Sequence, residues 1–150
     1  MLIGVTGILL MNFFPILKET AIGKGTVPAV IRQLNNMYEK MLLVIIIAVF
    51  KTALAEEILF RGGLGKWLIY RLGYQYGNIL QAMIFGTIHI LLFWKSVAGT
   101  SFIIFSFLIS GTGAYLAAHI NERVSKGSIL PGWLMHGTAN VLSYVYLIFL

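Results

Sequence analysis

The segment MLLVIIIAVFKTALAEEILFRG, residues 41–62, constrains this chain more than any other. Its first part is long and apolar enough to enter a bilayer, yet its end carries two adjacent carboxylates and an arginine. An ionised group at membrane depth costs about 2.5 kcal/mol or more, so charge placed there needs partners or a task. The chain has five acidic residues, all of them glutamate, and Glu56 and Glu57 are therefore a large share of its negative charge.

Composition points the same way. Of 150 residues, 59% are hydrophobic and 11% charged, with a mean hydropathy of +0.88. A globular domain of this size would carry roughly 25% charged residues. The chain reads as an all-α integral membrane protein, a polytopic transmembrane helix bundle forming one domain over residues 1–150. No linker, repeat or low-complexity tract divides it. Cysteine is absent, which excludes disulfides, thiolate metal sites and cysteine nucleophiles. The basic residues give a net charge of +6 but are scattered one or two per loop, which fits a lipid bilayer as partner and not nucleic acid.

Five apolar stretches are read as spans: residues 2–17, 41–60, 77–94, 97–120 and 129–150, each near the roughly 20 residues a crossing helix needs. The first is short, contains Pro15, and lacks the basic start and small-residue cleavage site of a signal peptide, so it reads as a retained helix. Residues 18–40 read as an interfacial segment with an amphipathic turn near residues 29–37. The stretch GGLGKWLIYRLGYQYG, residues 62–77, reads as a loop at headgroup level because Trp67, Tyr70, Tyr74 and Tyr76 mix with Lys66 and Arg71. Lys and Arg divide evenly between alternate sides, so the positive-inside rule sets no orientation.

Polar residues inside the spans come next. Glu57 and Arg61 are four apart on one helix and read as an ion pair. Glu56, about 100° further round an α-helix, needs a separate partner or function. His89 lies within IFGTIHILLF and His136 within GWLMHGTANVL, with Asn140 one turn after His136. Taken singly, each histidine reads as a packing residue hydrogen-bonded to a neighbouring helix. Phe85, one turn before His89, also reads as packing. Taken together, Glu56/Glu57/Arg61, His89 and His136/Asn140 are three polar patches that one shared, water-containing cavity would solvate.

These residues resemble a known family. EEILFR at residues 56–61 is similar to the EExxxR motif, FGTIH at 85–89 to FxxxH, and HGTAN at 136–140 to HxxxN, the three ordered signatures of the CPBP intramembrane proteases. That family includes the type II CAAX prenyl endopeptidases and the bacterial Abi proteins linked to bacteriocin processing and self-immunity. The resemblance covers residues 41–150. The segment before it is shorter than the family's usual lead-in, so a small or N-terminally shortened member is expected. Membership implies a multi-pass protein of the bacterial cell membrane acting on a peptide or precursor protein, with no cofactor. Peptide hydrolysis needs a base, a held water and donors for the oxyanion. Glu56 suits the base and His89 would share its water, while His136 and Asn140 resemble the family's oxyanion-stabilising pair. Glu57, Arg61 and Phe85 would support the geometry. Lys51, mid-span, is not required by any motif and reads either as a glutamate's partner or as the mark of a wet mouth.

Two other readings compete. Glu56, His89 and His136 could be zinc ligands, although the HExxH spacing that supplies two ligands from one helix is missing. Alternatively, the cavity could serve a non-catalytic protein, either an immunity factor that binds a partner or a conductor of protons or ions. A transporter more often has repeat symmetry or broken helices in matching halves, and the sequence has neither.

Overall fold

The computed structural model describes residue 8 and residues 11–12, 15–93 and 99–149. Among them all regular structure is helical. The helices are α1 (Pro15–Ala21), α2 (Val27–Arg32), α3 (Met37–Ile45), α4 (Lys66–Phe93), α5 (Gly99–His119) and α6 (Leu130–Phe149). Between α3 and α4 the chain winds as π-helix over Ile46–Leu54 and Glu57–Gly65, and α5 ends in a π-helical turn, Ile120–Val124. The expected first span, residues 2–17, lies largely outside the described residues.

The chain divides into two compact units, Met1–Leu54 with His136–Leu150, and Ala55–Met135. In the first, the sequence sets the helix starts. Thr26 accepts a hydrogen bond from the Ala29 N–H and Pro28 stands in the first turn of α2. Asn36 accepts from the Tyr38 N–H, and Glu39 occupies the first turn of α3. Both patterns satisfy amide groups that a helix start leaves without partners. Ile31, Val44 and Ile148 form the buried core of this unit, with Tyr144 and Val145 packed against them.

The second unit is built on α4 against α5. Small residues let the two backbones approach: a Cβ on Gly86 would stand 2.9 Å from the Phe107 ring, and one on Gly111 would stand 3.4 Å from the Ala82 carbonyl. Close approach through small residues, helped by hydrogen bonds across the interface, is how helices associate where lipid supplies no hydrophobic drive. Here Gln81 donates to the Ala114 carbonyl at 3.1 Å and Asn78 to the Tyr115 carbonyl at 3.2 Å. Phe60, Ala82, Phe85 and Ala114 form the apolar core beside them.

The stretch 62–77 is not a loop. It is helical from Lys66 onward, interrupted only at Gly73, whose φ of 77° and ψ of 163° suit glycine and strain any other residue. The chain folds so tightly there that a Cβ on Gly77 would stand 2.5 Å from the Ile69 Cα. Of the aromatic residues that suggested a headgroup loop, Trp67 and Tyr70 lie exposed on the helical turns before Gly73, where Leu68 is buried, and Tyr74 and Tyr76 follow the break.

Among the described residues one helical segment, Ile103–Val124, is long and apolar enough to cross a membrane. It presents Ile104, Leu108 and Leu116 outward, spaced at whole multiples of four residues on one face. Of the other apolar stretches named in the sequence, α3 passes into π-helix after nine residues and α6 carries His136, Asn140, Ser143 and two tyrosines.

Candidate functional site

Glu56 and Glu57 stand where the π-helical stretch Glu57–Gly65 begins. A π-helix closes its bonds five residues back and is uncommon outside functional segments. The glycines of RGGLG permit it. A Cβ on Gly65 would stand 2.7 Å from the Phe60 carbonyl oxygen, five residues earlier, closer than any side chain tolerates.

That winding gives the two carboxylates different surroundings. Glu57 is fully buried, and its Oε1 meets Arg61 Nη1 at 3.2 Å, with the arginine side chain only 3% exposed. Glu56 is half-buried. Both carboxylate oxygens of Glu57 are engaged, because Asn121 Nδ2 donates to Oε2 at 3.4 Å. Asn121, itself fully buried, accepts the Gly132 N–H on its Oδ1 at 2.9 Å. An ion pair followed by two hydrogen bonds therefore links Arg61 through Glu57 and Asn121 to the first turn of α6.

Phe85 links the first motif to the second. The Arg61 guanidinium lies 4.2 Å from the centre of its ring, Phe60 meets it edge-on at 4.9 Å, and the His89 ring lies 4.4 Å away at a 37° tilt. The cation over the ring face and the edge-on aromatic pair are both attractive geometries. His89 Nδ1 lies 2.9 Å from the Phe85 carbonyl. A carbonyl only accepts, so Nδ1 carries the proton and the lone pair of the neutral ring sits on Nε2. Phe85 is buried in the apolar core, with its ring between the Arg61 guanidinium and the His89 ring.

His136 and Asn140 belong to the other unit. There Asn140 Nδ2 donates to the Ala48 carbonyl at 3.3 Å, which occupies one of the two N–H groups of its amide. Gly137 packs against Val49, where an added Cβ would lie 3.4 Å from the valine methyls. His136 is half-buried. Lys51 is exposed and makes no ion pair among the described residues.

The structure thus gathers Glu56, Glu57, Arg61, Phe85 and His89 in one unit and holds His136 and Asn140 in the other. Among the described residues no group of three or more His or Glu side chains is arranged to hold a metal ion. His119, the third histidine, is exposed and bonded to the Tyr74 hydroxyl at 2.7 Å, apart from the motif residues of its unit. Sequence reasoning did not single out Asn121 or Gly132. Its only signal for Asn121 was an amide beside His119, with nothing to indicate a carboxylate 64 residues away.

A buried Glu–Arg pair and a histidine stacked on Phe85 thus stand in an all-helical apolar frame. The family model of the type II CAAX prenyl endopeptidase Rce1-like proteins matches residues 38–142, a stretch that encloses all three motifs. The chain belongs to this family of membrane-embedded proteases. No curated protein and no solved structure matches the chain.

Proposed function

We propose that the protein is a multi-pass intramembrane endopeptidase that cleaves a peptide or precursor protein with water activated by Glu56, without a metal. The observation that carries this reading is the division of labour between adjacent carboxylates. Glu57 takes the arginine, and Glu56, the adjacent half-buried carboxylate, serves as the general base. His89, with its Nε2 lone pair set by the bond from Nδ1, accepts a hydrogen bond from the same water. His136 and the second N–H of the Asn140 amide stabilise the oxyanion on the scissile carbonyl. The proton taken by Glu56 then passes to the leaving amine, so the acid and the amine are released and the carboxylate is restored.

The experiment uses purified protein in nanodiscs and a proteome-derived peptide library, with new termini read by mass spectrometry. Cleavage is expected to persist in EDTA and in 1,10-phenanthroline, and metal analysis to find well under one zinc per chain. Loss of activity to chelator with recovery on added zinc would turn Glu56, His89 and His136 into ligands. Asn140→Ala is expected to slow cleavage by roughly 10²–10³-fold while substrate binding is nearly kept, the signature of a lost oxyanion donor. A variant that binds poorly but turns over normally would assign Asn140 to substrate recognition instead.

A further inference from the structure

We propose that Asn121 is a positioning residue of this site, whose carboxamide locks the Glu57–Arg61 pair to the first turn of α6 and thereby fixes the backbone that carries Glu56. The inference rests on the reading of Glu56 as the base. Asn121 lies outside the three motifs, yet it is fully buried and uses both ends of its amide. Its Nδ2 donates to Glu57 Oε2 at 3.4 Å and its Oδ1 accepts from the Gly132 N–H at 2.9 Å. No smaller polar side chain can do both, since a hydroxyl is too short to span a carboxylate on one element and an amide on another.

Gly132 supplies an independent observation. A Cβ there would stand 2.6 Å from Asn121 Nδ2, 2.7 Å from its Oδ1 and 2.9 Å from Glu57 Oε2. Three polar atoms of two side chains, on two separate elements, converge on the space that glycine leaves open. The π-helical turn Ile120–Val124 places Asn121 there, and its closing bonds, Ser125 N–H to Ile120 carbonyl at 2.8 Å and Gly127 N–H to Asn121 carbonyl at 2.7 Å, hold that turn. Nearby, Lys66 at the start of α4 donates to the Gly127 carbonyl at 2.6 Å and pairs with Glu122 at 3.5 Å. The loop that follows Asn121 is thus tied to the end of the π-helical stretch that begins at Glu57.

The consequence for chemistry is positional. An arginine on Oε1 and an amide on Oε2 hold opposite ends of the Glu57 carboxylate and fix its plane. The backbone at Glu56 is then fixed too. Misplacing a reacting group by about 1 Å costs roughly 10²-fold in rate. The α6 turn held by Gly132 also begins the helix on which His136 and Asn140 follow at four-residue spacing.

The test combines turnover with a readout that needs none. On the peptide library, Asn121→Ala and Gly132→Ala are each expected to lower initial rates by roughly 10²-fold. Asn121→Asp keeps the acceptor for Gly132 but replaces the donor with a second carboxylate, and is expected to be as slow as the alanine variant. In a Glu57→Gln background, Asn121→Ala should change the rate by less than about threefold, because the residue acts through Glu57. Full additivity, or a wild-type rate for Asn121→Asp, would overturn the proposal. Separately, with ¹³C-glutamate labelling, the carboxylate stretch that disappears in Glu57→Gln is expected to shift in Asn121→Ala and Gly132→Ala. An unmoved band would overturn the lock whatever the protein cleaves. Failure of the base assignment reads out differently, as full activity in Glu56→Gln.

Discussion

Glu56→Gln is expected to leave a folded protein that no longer cleaves peptides. Gln has the shape of Glu and keeps a hydrogen-bonding end, so packing around a half-buried residue is conserved while the proton acceptor is lost. The neighbouring ion pair is untouched, since Arg61 is matched by Glu57 at 3.2 Å. General-base catalysis contributes about 10²–10⁴-fold on its own. Where the base also holds the attacking water, its removal takes the rate below detection in a peptidome experiment. Membranes from cells with the wild-type protein should contain cleavage products that are missing with Glu56→Gln, at equal protein level and equal thermal midpoint. Identical product sets would favour a protein that binds a partner through the same residues without cutting it.

The first motif was legible because an apolar chain with five glutamates cannot place two of them at the end of an apolar run without a physical reason. His89 was legible on the same ground, and its spacing to Phe85 put both on one helix face. Helical architecture follows from the apolar runs, because in lipid only a helix or a closed barrel satisfies its own backbone. The winding was not legible. Period-based reading assumes 3.6 residues per turn, and nothing in MLLVIIIAVFKTALA says that the chain closes its bonds five residues back. The helical character of residues 66–76 was hidden by the four aromatics and Gly73, which together read as a headgroup loop until the backbone places the break at a single residue. Asn121 was hidden for a different reason. Its partners, Glu57 and the Gly132 amide, lie 64 and 11 residues away, and a long-range hydrogen bond leaves no periodic trace. Gly132 likewise looks like an ordinary residue of a helix start, and only the crowding of Asn121 and Glu57 over its Cα explains it.

Arg61→Ala is expected to damage the fold as well as the chemistry, which separates it from Glu56→Gln. The variant leaves Glu57 fully buried without its counter-charge, while the neutral Asn121 amide still donates to Oε2. Removing one member of a buried ion pair typically costs about 3–5 kcal/mol, because the other keeps its desolvation penalty and loses its counter-charge. Two further losses add to it. The guanidinium no longer covers the face of Phe85, and the buried hydrocarbon stem of the arginine is lost from the interior. Arg61→Lys should recover only part of this, since an ammonium restores charge without the flat surface that lies 4.2 Å from the ring centre. The double variant Arg61→Ala/Glu57→Gln removes the stranded charge and should be more stable than Arg61→Ala alone, although it has lost one more native group. Thermal unfolding in nanodiscs measures the order directly: wild type highest, then Arg61→Lys, then the double variant above Arg61→Ala. An Arg61→Ala protein as stable as wild type would mean that Glu57 carries no buried charge. Glu57 would then be no anchor for Glu56, and the division of labour between the two carboxylates would fail with it.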